Sequence, residues 1–238
     1  MSRPPVIPVA RIGHRVSGAT VPPSRMVPQE TPIAFSYGGT THAVMMASPS
    51  DLHDFALGFS LTEGVISTPD EIEAITIEDA GEGIDVQIAL KDNAGARFSA
   101  RRRHLAGPVG CGLCGIESID EAMRPVNHVR KNSLTLSPDD IALAVRLLSE
   151  KQEFHAKTGA VHAAGFYVPG QGIVAAREDV GRHNALDKLA GALAGSGIDG
   201  ATGAVVVTSR VSVEMVQKTA AIGAAAILAV SAPTALAI

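Results

Sequence analysis

The chain has no tryptophan, and only two tyrosines and six phenylalanines occur in its 238 residues. Large aromatic side chains therefore cannot fill its interior. Apolar residues still make up 46% of the sequence, which marks it as globular rather than disordered. Small aliphatic side chains must do the packing, as they do in layered α/β folds. An excess of positive charge is also missing: 20 Lys and Arg face 24 Asp and Glu, for a net charge of −4. That argues against nonspecific binding to nucleic acid, which needs clustered cations. Long hydrophobic runs are absent too. The longest apolar stretch, residues 224–230, is far too short to span a bilayer. No apolar signal run follows Met1-Ser2-Arg3-Pro4-Pro5. These absences predict a cytoplasmic protein with neither a nucleic acid nor a membrane as partner. Cysteine is scarce as well, with just Cys111 and Cys114. In a reducing compartment such a close pair is expected to be functional rather than structural.

The length allows one or two domains around a sizeable core. Residues 1–24 are rich in Pro, Arg and Gly without periodicity and read as a loose arm. Residues 31–46 read as strands around Gly38-Gly39. Ser50 is then placed to cap a helix, with Asp51 and Asp54 in its first turn and Leu52, Phe55, Ala56 and Phe59 at helical spacing. Residues 71–90 read as strand, turn, strand, with Ile84, Val86 and Ile88 in alternation. Ser137-Pro138-Asp139-Asp140 has the form of a capped helix start. Further strands are expected at 160–168 and 173–176, flanking the turn Pro169-Gly170-Gln171-Gly172, and at 204–207 and 226–230. Further helices are expected to open near Asp179 and to run over 213–222. Strands alternating with helices predict α/β layers with parallel pairing. The divisions expected are a loose arm at 1–24, a β-rich domain at 25–127 that ends with the cysteine loop, and an α/β domain at 128–238.

Three clusters carry chemistry. The first is Gly110-Cys111-Gly112-Leu113-Cys114-Gly115, a C-x-x-C pair set among glycines that let a partner approach the backbone closely. Such a pair supports disulfide exchange, metal ligation or sulfur carriage. Arg101-Arg102-Arg103, if folded near the loop, would favour the thiolate, which is the nucleophilic form. Two cysteines with His104, His162 or His183 could complete a zinc site. Zinc nucleobase deaminases join a His-x-Glu element to Pro-Cys-x-x-Cys. Here Ala164 stands where the glutamate would be, and the two elements occur in reversed order, so water activation has no proton carrier. A thioredoxin-like motif normally opens a helix behind a strand, a context the cysteine loop lacks.

The second cluster is Arg177-Glu178-Asp179-Val180-Gly181-Arg182-His183-Asn184, at a strand-to-helix junction. The third is Thr208-Ser209-Arg210-Val211-Ser212, at another such junction, ahead of Glu214, Met215 and Lys218. Helix starts bind phosphates and arginine supplies a forked donor, so the two turns could line one anionic pocket. The plain alternative for the second cluster is a capped, solvated helix start. His162 in its apolar strand is more readily a core histidine than a ligand.

Taken together, these residues resemble the FdhD family, the accessory sulfurtransferases of formate dehydrogenase. The resemblance runs through Asp51-Leu52, Phe55 to Phe59 and Thr62-Glu63-Gly64, then through the cysteine loop and His162-Ala163-Ala164. It continues through Glu178 to Lys188, Ser209 to Lys218 and Ser231-Ala232-Pro233-Thr234. It implies a cytidine-deaminase-like layer in the C-terminal part, with a smaller β-rich N-terminal domain, and it implies a homodimer. It implies a sulfurtransferase that accepts persulfide sulfur from a cysteine desulfurase. The sulfur then passes to molybdenum bis(molybdopterin guanine dinucleotide), a bound substrate rather than a permanent cofactor, before that cofactor enters formate dehydrogenase. Cys111 would carry the persulfide and Cys114 would assist, relay or resolve it. Arg182, His183, Arg210 and Ser212 would hold the cofactor's phosphates, and no metal site is expected. Family members usually continue with a further strand and a loop containing Gly-Phe and Arg or Lys, which the chain ending at Ile238 is expected to lack. A zinc-binding domain, or a cofactor-binding chaperone without sulfur transfer, are the alternative readings.

Overall fold

The computed structural model describes residues 3–11, 22–105, 128–131 and 134–238, with residues 99–105 as backbone only. The cysteine loop, and with it Cys111 and Cys114, lies outside the described residues.

Val6–Ala10 (β1) pairs antiparallel with Ser24–Pro28 (β2). Residues 6–10, within the stretch read as a loose arm, are thus held in a paired ribbon. Arg3 reinforces the tie by donating to the carbonyls of Gly81, Glu82 and Gly83.

The first four-stranded sheet has the order β4-β3-β6-β5. Its strands are Thr31–Tyr37 (β3), Thr40–Ala47 (β4), Ile72–Ala80 (β5) and Gly83–Leu90 (β6). The alternation in β6 has a direct outcome: Ile84, Val86 and Ile88 are buried while Asp85 and Gln87 are less so. Leu52–Thr62 (α1) lays Leu52, Phe55 and Phe59 on Ile33, Phe35, Val86 and Ile88. The Phe35 ring stacks on Phe59 at 4.6 Å and meets Phe55 edge-on at 4.8 Å, so the scarce aromatics are concentrated in this core. Asp92–Leu105 (α2) adds Ala94 and Phe98. Ser50 does not cap α1. The N-cap is Asp51, in a left-handed conformation with φ 53°, and it makes no side-chain cap bond. Ser50 Oγ is buried without a partner among the described residues.

The second sheet has the order β10-β9-β7-β8, from His162–Val168 (β7), Gly172–Asp179 (β8), Ala204–Val207 (β9) and Ile227–Ala229 (β10). Parallel pairing occurs at β9–β10 and, in the first sheet, at β3–β6. The central strand β7 pairs antiparallel with both β8 and β9. Between β7 and β8 the expectation of parallel pairing fails because the tight turn after Val168 forms a hairpin, which can only pair antiparallel. Pro138–Glu150 (α3) covers one face, with Ala144 and Leu148 on Ala163, Tyr167 and Val206. Its Ser137–Asp140 capping box is formed as the sequence predicts. A short helix, Glu153–Thr158 (α4), follows. Arg182–Gly195 (α5) and Val213–Ile222 (α6) cover the other face, where Leu186, Leu189 and Met215 meet Phe166, Val205 and Val207.

The two sheets are joined through helices, because α1 lies on α5. Glycines set this crossing. A Cβ on Gly58 would overlap the carbonyl oxygen of Asp187, and one on Gly191 would overlap that of Asp54. Each helix thus presents its glycine to the other's backbone. The layers run sheet, α1, α5, sheet, α3.

Candidate functional site

The second sheet brings its loops together at one end. His162 starts β7 directly opposite Asp179, which ends β8, and Val207 ends β9 opposite Ala164. Beyond β8 the chain turns into α5, and beyond β9 it turns into α6. The N-cap of α5 is Gly181, not Asp179, which is the last residue of β8.

No side chain caps either helix at these starts. Gly181 has none to offer, and Ser212 makes no side-chain cap bond to α6. The Ser212 hydroxyl lies instead 3.4 Å from His183 Nε2, and the same nitrogen is 2.8 Å from Glu214 Oε2. His183 therefore joins the first turns of α5 and α6. Its hydrogen bond holds the Glu214 carboxyl below the ordinary glutamate range, against partial burial and with help from Lys218 and Arg182. Stability from such a carboxylate is fully present above its unfolded value and is lost as pH falls through the lowered one. Between about pH 5 and about pH 3, the urea midpoint of Glu214→Gln is expected to fall less steeply than that of the native chain. Parallel slopes would dismiss the contribution.

Burial, then the neighbouring Arg182 charge, lowers the His162 pKa. Of the four residues nominated for cofactor phosphates, His183 and Ser212 are brought within hydrogen-bonding range. Arg182 is half-buried beside them, and Arg210 is exposed on the turn that leads into α6. Among the described residues, no group of three or more His, Cys, Asp or Glu could hold a metal ion. No described helix is long and apolar enough to cross a membrane.

The rest of the second cluster points inward, so it is not a solvated helix start. Asp179 is fully buried and receives Lys188 Nζ at 2.6 Å, Ser48 N at 2.9 Å, Gly181 N at 2.8 Å and Asn184 Nδ2 at 2.9 Å. Lys188 Nζ also donates to Ser48 O, and Asn184 to Met46 O. A second buried group surrounds Lys218, whose Nζ contacts Asp187 at 2.9 Å, Thr62 Oγ1 at 3.1 Å and Glu63 Oε1 at 2.5 Å. Burial works against the Lys218 ammonium, but the Asp187 and Glu63 carboxylates outweigh it and raise its pKa. Glu178 accepts the backbone amides of Phe154 and His155 at 2.8 Å each. Arg177 pairs with Asp54 at 2.6 Å and reaches Asp51 at 3.6 Å. These charges tie α1 and the loop after β4 to the second sheet and its helices. Sequence reasoning grouped Arg177, Glu178, Asp179 and Asn184 with the turn expected to line an anionic pocket, and did not see that they face inward. The signal it passed over lies in the residues around Asp187 and Lys188: Ala185, Leu186, Leu189, Ala190, Gly191 and Ala192 are small or apolar on every side, which marks a helix buried all round.

The architecture defines a mixed α/β protein with two helix starts latched together at one sheet end. The FdhD/NarQ family model matches residues 28–238, and the chain belongs to that family. It is 58% identical over 230 residues to the sulfur carrier protein FdhD of Agrobacterium fabrum, across 97% of this chain and 84% of that one. The corresponding protein of Brucella abortus is 55% identical, across 97% and 85%. A solved structure from Desulfotalea psychrophila, assigned as a formate dehydrogenase accessory protein, shares the fold with a TM-score of 0.72. Its sequence identity is 24%, over 98% of this chain and 87% of that one.

Proposed function

We propose that this chain is a sulfur carrier that takes sulfur from a cysteine desulfurase and passes it to molybdenum bis(molybdopterin guanine dinucleotide) on behalf of formate dehydrogenase. The observation that carries the reading is its 58% identity to a protein named as a sulfur carrier, in a chain whose two cysteines form one C-x-x-C pair. In the first step the Cys111 thiolate attacks the outer sulfur of the donor's persulfide. The donor's S–S bond breaks, its cysteine leaves as a thiolate, and Cys111 becomes the persulfide with no net oxidation. In the second step the Cys114 thiolate attacks Cys111 Sγ. The outer sulfur leaves as hydrosulfide for the cofactor, and a Cys111–Cys114 disulfide remains for a cellular thiol to reduce.

The cofactor's guanosine diphosphate arms suit the paired helix starts. Two sets of first-turn amides without side-chain caps, together with Arg182 and Arg210, favour a diphosphate. The test is incubation with a cysteine desulfurase and cysteine, followed by mass spectrometry. An adduct of one sulfur atom is expected, lost on reduction and absent in Cys111→Ala. A Cys111→Ala chain that still takes up and delivers sulfur would overturn the assignment. A native chain that binds guanosine diphosphate but never shows the adduct would make it a cofactor chaperone instead.

A further inference from the structure

The residue that organises the paired helix starts is Glu214, which carries no assigned role in the phosphate site. It sits in the first turn of α6 and accepts from His183 Nε2 at 2.8 Å, across from the first turn of α5. Its side chain is 30% exposed and that of His183 is 25% exposed, so the pair lies at the surface end of the sheet rather than within the core. One turn further along α6 is Lys218, fixed by Asp187 and Glu63. The carboxylate therefore rises from a rigid base and holds a ring on the neighbouring helix. With Nε2 engaged by Glu214 and the Ser212 hydroxyl nearby, the orientation of His183 is set by α6.

We propose that Glu214 is a positioning residue for recognition of the cofactor's diphosphate. It holds His183, and with it Arg182 and the α5 amides, in register with the start of α6, so that both helix starts meet one ligand. This rests on the nucleotide-binding reading of the site. An acid beside a phosphate site is otherwise unfavourable. Here the His183 hydrogen bond and the neighbouring Arg182 and Lys218 charges favour the carboxylate, and its geometry is what the site uses. The role needs an acceptor at that position and does not need the negative charge.

Isothermal titration with guanosine diphosphate separates the possibilities, using the native chain, Glu214→Gln, Glu214→Ala, His183→Asn and the Glu214→Ala/His183→Asn double variant. Glu214→Ala is expected to weaken binding about tenfold or more, the size of one lost hydrogen bond to a charged group. Glu214→Gln keeps an oxygen that accepts from Nε2 and is expected to stay within about threefold of native. The double variant is expected to bind no more weakly than His183→Asn alone, because the two residues act through one contact. Equal losses in the Gln and Ala variants, tighter binding in either, or additive losses in the double variant would overturn the positioning role. Native-like affinity in Glu214→Ala would overturn it while leaving the nucleotide site standing. A native chain that binds no guanosine diphosphate would remove the site and the role together.

Discussion

Lys188→Ala is expected to lower stability by about 3–5 kcal/mol, because it leaves a buried carboxylate without its cation. Lys188 and Asp179 both have 0% side-chain exposure, and their 2.6 Å contact lies where water cannot replace the missing charge. The three remaining donors to Asp179 are neutral, so they soften the loss without cancelling it. The ammonium also lies 5.4 Å from the centre of the Phe55 ring, and that attraction disappears too. Lys188→Met, which keeps most of the volume, is expected to be nearly as damaging, since the charge rather than the cavity dominates. Urea unfolding of purified chains measures this directly. The surface pair Arg146–Glu150 provides the contrast, with both side chains more than half exposed. Arg146→Ala is expected to stay within about 0.5 kcal/mol of native. A loss below about 1 kcal/mol for Lys188→Ala would show that the pairing argument is wrong.

Gly191→Ala sets two effects of opposite sign against each other. Alanine in a helix interior is favoured over glycine by about 1 kcal/mol. At this position, however, the new methyl group would overlap the Asp54 carbonyl oxygen, which is backbone and cannot swing aside. The α1–α5 crossing must open. That strains the contact of Asp54 with Arg177 and the reciprocal contact of Gly58 with Asp187. Overpacking of this kind costs up to about 3 kcal/mol, so the clash is expected to win and the variant to be clearly destabilised. Gly195→Ala, on the same helix, meets only Leu57 Cδ2 at an ordinary 3.8 Å and is expected to be neutral or stabilising. Thermal melts of the two variants decide the matter, and equal stability would remove the close-crossing argument.

Local signals account for what the sequence revealed of the fold. Ser137-Pro138 marked a helix start because the capping box is contained within four residues. Alternation at Ile84, Val86 and Ile88 marked a strand because one face of it is buried. The Val213–Ile222 helix was bounded correctly, since Gly223 ends it in a left-handed conformation. What escaped was non-local or weakly patterned. Strand β1 is built around Pro8 and borrows its order from β2. Helix α2 buries only Ala94 and Phe98 among its described side chains, too thin a stripe to read. The turn between β7 and β8 was legible, but the inference of parallel pairing from alternating strands and helices overrode the antiparallel pair that such a turn imposes. At the site, residue types alone could place Arg182, His183, Arg210 and Ser212 at helix starts. They could not separate the outward His183 from the inward Asp179, Asp187 and Lys188, because that division is made by α1, a helix from the far end of the chain.

The contact between Ser48 and Lys188 spans 140 residues of sequence. During synthesis at about 5–20 residues per second, the loop after β4 emerges roughly 10 s before the lysine that will hold it. For that interval Phe55, Ala56 and Phe59 have their first sheet but not the α5 surface that covers the rest of α1. The nascent chain is then most exposed to aggregation, and a holding chaperone acting during this interval would protect it most.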